Sequence, residues 1–476
     1  MSEVAKSESP LLKQLARSLM TGQLIAASDP HHLHWHLAPT VGLLNDPNGF
    51  IQAHDRYHLF YQWNPLACRH GAKWWGHWSS VDLVHWRHEP VALLPTEEYE
   101  ISGCYSGSAV LNNDKITLLY TGNVKYADGS RTAYQCLAEE MHDGTYQKLG
   151  PVIPLPEGYT GHVRDPKVWQ HDGLWYMVLA AQTPDIKGKV LFYRSSDLQQ
   201  WQLISEVAGT HLNGLKEFGY MWECPDLFHL DGHDVLLCCP QGLAAEQYSY
   251  LNLYQCGYFV GELDYQQGTF PHGEFHELDL GFEFYAPQTT ETADGRRLMF
   301  GWLGMPDDNE LAQPTVKYGW VDCMTCPREL FFRDGQLYQQ PAAELQQLRQ
   351  GSGTTWQGNA SKAPLFDGVS AELLLDVDGP FSLSLRDNAS LNWDGDCLML
   401  TRLNWRTQET ESRYWFGKLQ SLQLLLDSSS LELFINNGEA CMTARYFPDP
   451  TQKSLRFNGS GALSIHHWLL SACVIE

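Results

Sequence analysis

Apolar residues follow three different rhythms along this chain. Over residues 10–27, Leu11, Leu12, Leu15, Ala16, Leu19 and Met20 recur at spacings of three and four, which predicts a helix. From residue 34 to about 335 the apolar runs are short and bounded by turn formers, as at 57–61, 174–180 and 235–239, and they predict strands. Beyond residue 354 the runs alternate apolar with polar, as at 371–377 and 381–385. Further runs fall at 397–403, 421–426, 430–435, 440–446 and 462–470, with Asp, Gly and Asn between them. That alternation predicts an antiparallel sandwich.

The middle segment repeats itself. Asn45-Asp46-Pro47-Asn48-Gly49-Phe50, Arg164-Asp165-Pro166-Lys167-Val168-Trp169 and Glu223-Cys224-Pro225-Asp226-Leu227-Phe228 each place polar groups before a Pro and an aromatic three residues after it. Tyr105-Ser106-Gly107 and Tyr285-Ala286-Pro287 are weaker copies. With the Pro or its Gly substitute as register, the copies fall at 47, 107, 166, 225 and 287. A second match, Ser80-Val81-Asp82-Leu83 with Ser195-Ser196-Asp197-Leu198, is two periods apart. A period near 60 leaves room for four strands per unit, the signature of a β-propeller. Read alone, Asn-Asp-Pro-Asn-Gly is a tight turn that presents Asp46 at a strand entrance.

A propeller brings equivalent positions of every blade to one axis. Residues 45–46, 105–106, 164–165, 223–224 and 285–286 are therefore expected to converge, with Asp46, Asp165 and Glu223 among them. Three acids in one funnel repel one another, so their presence points to chemistry on a ligand. Two carboxylates flanking a glycosidic bond are the equipment for its hydrolysis. The apolar flank Phe218, Tyr220, Met221 and Trp222 predicts a protonated Glu223, the general acid and then base. Asn45 and Asn48 predict an ionised Asp46, the nucleophile. Arg164 predicts an ionised Asp165, an anion that orients hydroxyls and steadies a cationic transition state.

Composition narrows the ligand. Aromatics make up 12% of the 476 residues, including 17 Trp and 22 Tyr, a supply of faces for sugar stacking. Lys and Arg number 32 against 56 Asp and Glu, a formal charge of −24, which argues against nucleic acid or an anionic membrane as partner. The N-terminal ten residues lack an apolar signal core and no apolar run reaches 18 residues, so a cytoplasmic protein without a membrane span is expected. The 12 scattered Cys then read as reduced thiols, and the lone Cys323-Met324-Thr325-Cys326 does not read as a zinc site. The His31–His36 cluster alternates as a strand would, with no evident carboxylate partner, and reads as structural. Neither a metal nor a cofactor is expected, and homo-oligomerisation is left open.

Several of these stretches, with Tyr61-Gln62, Trp75-Gly76-His77 and Phe284-Tyr285-Ala286-Pro287-Gln288, resemble the invertases, β-fructofuranosidases of glycoside hydrolase family 32. The segment 426–439 resembles that family's sandwich motif. The resemblance implies an all-β chain, a five-bladed β-propeller followed by a C-terminal β-sandwich. It implies retaining hydrolysis of terminal non-reducing β-D-fructofuranosides such as sucrose, sucrose-6-phosphate or raffinose. A fructosyltransferase using the same ester, or a non-catalytic sugar-binding protein, are the alternatives. By motif, Asp46 matches the nucleophile, Asp165 the transition-state stabiliser and Glu223 the acid/base. Asn45, Gln62, Tyr105, Ser106, Arg164 and Trp302 match sugar-contacting positions. Leu43-Leu44 and His70 depart from the family pattern and are expected to alter the pocket wall. Arg69, His70 and Lys73 form a short basic cluster that reads first as a solvated loop and second as a phosphate contact. The expected division is a helical extension over 1–33, a propeller over 34–338, a helical linker over 339–353 and a sandwich over 354–476.

Overall fold

The computed structural model describes residues 9–473, so most of the N-terminal segment without a signal core lies outside the described residues. The helix Pro10–Ala27 forms where the three-and-four spacing places it, with Pro at its first turn. It buries Leu15 in the core of the first blade, and Ser18 Oγ donates to the carbonyl of Pro65 at 2.6 Å.

Five antiparallel sheets follow, each with four principal strands. Their inner strands are Gly42–Ala53, Cys104–Asn112, Val163–His171, Met221–Leu230 and Tyr285–Glu291. Each contains its register Pro or Gly, and each touches the inner strand of the next blade, so the five close a ring. The first and last blades are joined by parallel pairing of Trp320 and Val321 with Gly42 and Leu43. A 3₁₀ turn, Ala343–Leu348, leads out of the fifth blade. Two six-stranded sheets then stack as a sandwich around a second apolar core that includes Leu373, Leu383, Leu424 and Leu433. Among the described residues, no helix is long and apolar enough to cross a membrane, and no cysteine forms a disulfide.

Two expectations are corrected. Asn45-Asp46-Pro47-Asn48-Gly49 is not a turn: it lies inside the strand Gly42–Ala53, which bulges between the Leu44 and Pro47 pairings. The histidine cluster is not a strand, and it does have carboxylate partners. His34 and His36 meet Asp427 at 3.1 and 3.0 Å, and His36 Nε2 meets Glu432 at 2.9 Å. Glu432 also accepts from the backbone N–H of Cys326 at 2.7 Å and from Arg328 at 2.7 Å. These acids belong to the sandwich and their partners to the propeller side, so the two units share a buried charge network.

Candidate active site

The chemistry of the site starts from a backbone defect. In a regular strand, consecutive side chains alternate between faces. All five inner strands carry a register shift at their repeat motif, next to positions 46, 106, 165, 224 and 286. In three blades the residue before the Pro is left-handed: Asp165 at φ 66°, Cys224 at 48° and Ala286 at 48°. A bulge of this kind lets two successive side chains face the same way. Accordingly Asn45 with Asp46, Tyr105 with Ser106, and Arg164 with Asp165 all line one cavity at the axis.

That cavity has a volume of about 360 Å³. It gathers all nine of the sequence-predicted residues, Asn45, Asp46, Gln62, Tyr105, Ser106, Arg164, Asp165, Glu223 and Trp302. Its floor is buried at Asn45, Gln62, Ser106, Asp165 and Trp302, while Glu223 and Tyr105 are half-buried and His70 and Lys125 are exposed at the mouth.

Asp46 accepts from Asn45 Nδ2 at 3.0 Å and from Ser106 Oγ at 2.5 Å. Asn48 does not join them, because its amide oxygen instead faces the Gly107 N–H at 3.4 Å. Burial raises the Asp46 pKa, with Ser106 opposing and the Glu223 charge adding to the rise. Lys73 lies behind, its Nζ donating to Asn45 Oδ1 at 2.5 Å, which turns the amide so that its NH₂ faces Asp46. Burial brings Lys73 down to about 8.

Arg164 was expected to hold its neighbour Asp165 ionised. Its guanidinium instead grips Glu223, with Nε at 2.9 Å and Nη2 at 2.7 Å from Oε1. Asp165 accepts the Cys224 backbone N–H at 2.9 Å. Burial pushes its pKa to about 7, opposed by Arg164 and reinforced by Glu223 and Asp46. Burial and the neighbouring carboxylates thus draw Asp165 toward its protonated form, against the ionised form that Arg164 predicts. The surroundings of Glu223 also differ from those its flank predicts. Trp222 packs away from the cavity against Phe259, and the carboxylate accepts from Gln241 at 2.7 Å and Tyr285 at 2.8 Å besides Arg164. The Cys224 thiol lies 3.8 Å from Asp46 and 3.6 Å from Asp165, between the two carboxylates.

Tyr285 lines the cavity as the convergence of residues 285–286 predicts, whereas sequence reasoning missed Gln241 and Lys125 as lining residues. Gln241 had a signal: it follows its register Pro at nearly the offset that separates Gln62 from Pro47. The departures resolve differently. Leu43 and Leu44 are fully buried core residues outside the cavity lining, whereas His70 does line it, bonded to Glu310 at 3.0 Å. Lys73 is buried rather than solvated. Among the described residues, no group of three or more His, Cys, Asp or Glu could hold a metal ion.

The N-terminal domain of glycosyl hydrolases family 32 matches residues 36–341 and the C-terminal domain of that family matches 344–469. A sucrose-6-phosphate hydrolase of Salmonella typhimurium is 54% identical over 98% of this chain and 99% of its own length. One from Bacillus subtilis is 45% identical over 94% and 95%. The structure of sucrose-6-phosphate hydrolase from Lactobacillus gasseri superposes with a TM-score of 0.89 at 32% identity, covering 96% of this chain and 97% of that one. A mutant Bombyx mori GH32 beta-fructofuranosidase in complex with sucrose gives 0.86 at 32% identity, covering 98% and 99%. With both domains matched end to end and three acids gathered at the propeller axis, this chain belongs to glycosyl hydrolase family 32.

Proposed function

We propose that this protein hydrolyses terminal β-D-fructofuranosides, sucrose or its phosphorylated form, by double displacement with retention. The observation that carries the reading is the single cavity in which Asp46, Asp165 and Glu223 meet from three different blades. Asp46 attacks the anomeric carbon of the fructosyl unit, and the bond to the aldose oxygen breaks as Glu223 delivers a proton to that oxygen. Water then attacks the ester, giving its proton to Glu223 and releasing Asp46 as a carboxylate. Asp165 accepts hydroxyls of the ring and, once ionised, offsets positive charge on the oxocarbenium-like transition state.

We read the enzyme as cytoplasmic, a reading supported by its twelve thiols and its likeness to the bacterial relatives above. The deciding experiment follows sucrose hydrolysis by NMR. β-Fructofuranose appearing before mutarotation is the expected first product. The α anomer first would overturn double displacement, oligofructosides accumulating at high sucrose would favour transfer, and binding without reducing sugar would leave a binding module.

Lys73 supplies a second check. Lys73→Met frees the Asn45 amide to turn away from Asp46, so kcat is expected to fall by roughly tenfold to a hundredfold with KM little changed. In the wild type, Lys73 loses its proton as pH rises through about 8, so activity falls there. That alkaline limb should be missing from the kcat profile of the variant.

A further inference from the structure

Lys125 at the mouth of the cavity and Arg131 beside it are cations that the proposed chemistry does not use. Lys125 ends the strand Lys115–Lys125 and Arg131 begins the strand Arg131–Glu140, and the two stand directly opposite each other in the ladder. Like charges in a directly opposed cross-strand pair cost stability. The Glu223 carboxylate is near enough to favour the Arg131 charge, but its hydrogen bonds go to Arg164, Gln241 and Tyr285. Neither Lys125 nor Arg131 makes an ion pair among the described residues, in a chain whose formal charge is −24. Asp128, in the intervening turn, is occupied with the N–H and hydroxyl of Ser130 at 2.9 and 2.6 Å. Arg131 hydrogen-bonds neutral partners, Asn123 Oδ1 at 2.6 Å, His162 Nδ1 at 3.2 Å and the Tyr105 side chain.

His162 sharpens the point. Its Nδ1 also lies 3.1 Å from Arg164 Nη1, so two guanidinium groups converge on one imidazole nitrogen. That nitrogen can only accept from both, which requires a neutral ring. Burial and the two arginines bring His162 down to about 4. Of the two guanidiniums, Arg164 is committed to Glu223 and Arg131 bonds to no carboxylate among the described residues.

We propose that Lys125 and Arg131 form an anion subsite that takes the phosphoryl group of a fructoside phosphorylated on its aldose half. The inference rests on the proposed function, which sets the orientation. With the fructosyl unit on Asp46 at the buried floor and Glu223 at the leaving oxygen, the aldose half extends toward the mouth, where Lys125 is exposed. A phosphate monoester carries about −1.5 to −2 charges at pH 7 and three acceptor oxygens. A guanidinium edge beside a mobile ammonium matches it in charge and donor count. A neutral sugar would gain little from the same two cations and would leave their mutual repulsion in place. The pair therefore sorts phosphorylated from unphosphorylated substrate instead of serving bond cleavage.

The test compares kcat/KM for sucrose and sucrose-6-phosphate in the wild type, in Lys125→Ala and in Lys125→Ala with Arg131→Gln. The wild type is expected to prefer the phosphorylated substrate. Lys125→Ala should reduce the ratio of the two constants by about tenfold or more, the size of one lost charge-assisted contact, and the double variant should reduce it further. Inorganic phosphate should compete with sucrose-6-phosphate more strongly in the wild type than in the double variant. A ratio unchanged by both variants, or a wild type that cleaves the two sugars equally, would overturn the subsite while leaving fructoside hydrolysis standing. A wild type that cleaves neither would instead sink the proposed function. Unchanged melting temperatures would show that a lowered ratio does not arise from misfolding.

Discussion

Asp46→Asn is expected to lower turnover of sucrose by about ten-thousand-fold while sucrose still binds, because it removes the atom that forms the fructosyl ester and keeps the shape that holds the ring. The asparagine retains an acceptor for Asn45 Nδ2 and can meet Ser106 Oγ, the two contacts that fix the native carboxylate at 3.0 and 2.5 Å. Loss of rate without loss of binding is the mark of an interaction made only in the transition state. Glu223→Ala separates the two acids. It should also slow sucrose hydrolysis, but a fructosyl fluoride, whose leaving group needs no proton, should recover the first step. Azide should then recover the second, giving a β-fructosyl azide. If Asp46→Asn kept more than about a hundredth of the wild-type rate with clean enzyme, Asp46 could not be the nucleophile.

The second large effect concerns stability and lies far from the cavity. Glu432→Ala should lower the free energy of unfolding by about 3 kcal/mol, measured by denaturant titration, because it removes the carboxylate that Arg328 and His36 share and leaves them only Asp279 and Asp427 as buried counter-charges. The side chains of Glu432, Arg328 and His36 are fully buried, and Glu432 accepts from His36 Nε2, Arg328 Nη2 and the Cys326 N–H within 2.9 Å. A loss below about 1 kcal/mol would show that the network relaxes or hydrates and that its geometry overstates its worth.

The pH dependence has a defined sign. Burial opposes ionisation of Glu432, but Arg328 and His36 outweigh it and bring its pKa from 4.5 to about 2. A depressed carboxylate gives stability that is present above 4.5 and lost as pH falls toward 2. Asp427 is depressed as well: burial opposes its charge, and hydrogen bonds from His34 and His36 prevail. His36 is raised against its own burial by Asp427 and Glu432. Its contribution is complete below its ordinary 6.5 and is lost as pH rises through the raised value. The wild type should therefore lose stability steeply between about 4.5 and 2, and Glu432→Ala should lose it less steeply in that window.

Much of this architecture was legible in the sequence because a repeat needs no knowledge of contacts. The five motif copies near a 60-residue period fixed which strands are innermost, and so which residues share the axis. The sandwich strands over 381–385 and 397–403 were equally legible, since each is buried on one face and alternates accordingly, and 430–435, buried on both faces, was legible as an apolar run between turn residues. The strands Ala389–Trp393 and Thr410–Phe416 were not, the second being largely half-exposed on both faces, with no clean alternation to read.

The three dimensions decided where charge goes. Sequence neighbours suggested that Arg164 would serve Asp165 and that Phe218 and Trp222 would surround Glu223. The bulged strands redirect those side chains, so Arg164 meets Glu223 from the next blade and Trp222 faces the blade interior. The same holds for His34 and His36, whose carboxylate partners lie more than 390 residues away. A period determines which residues can meet, because it acts through the backbone alone. Which carboxylate holds a proton depends on burial and on donors from other blades, and those exist only once the ring has closed.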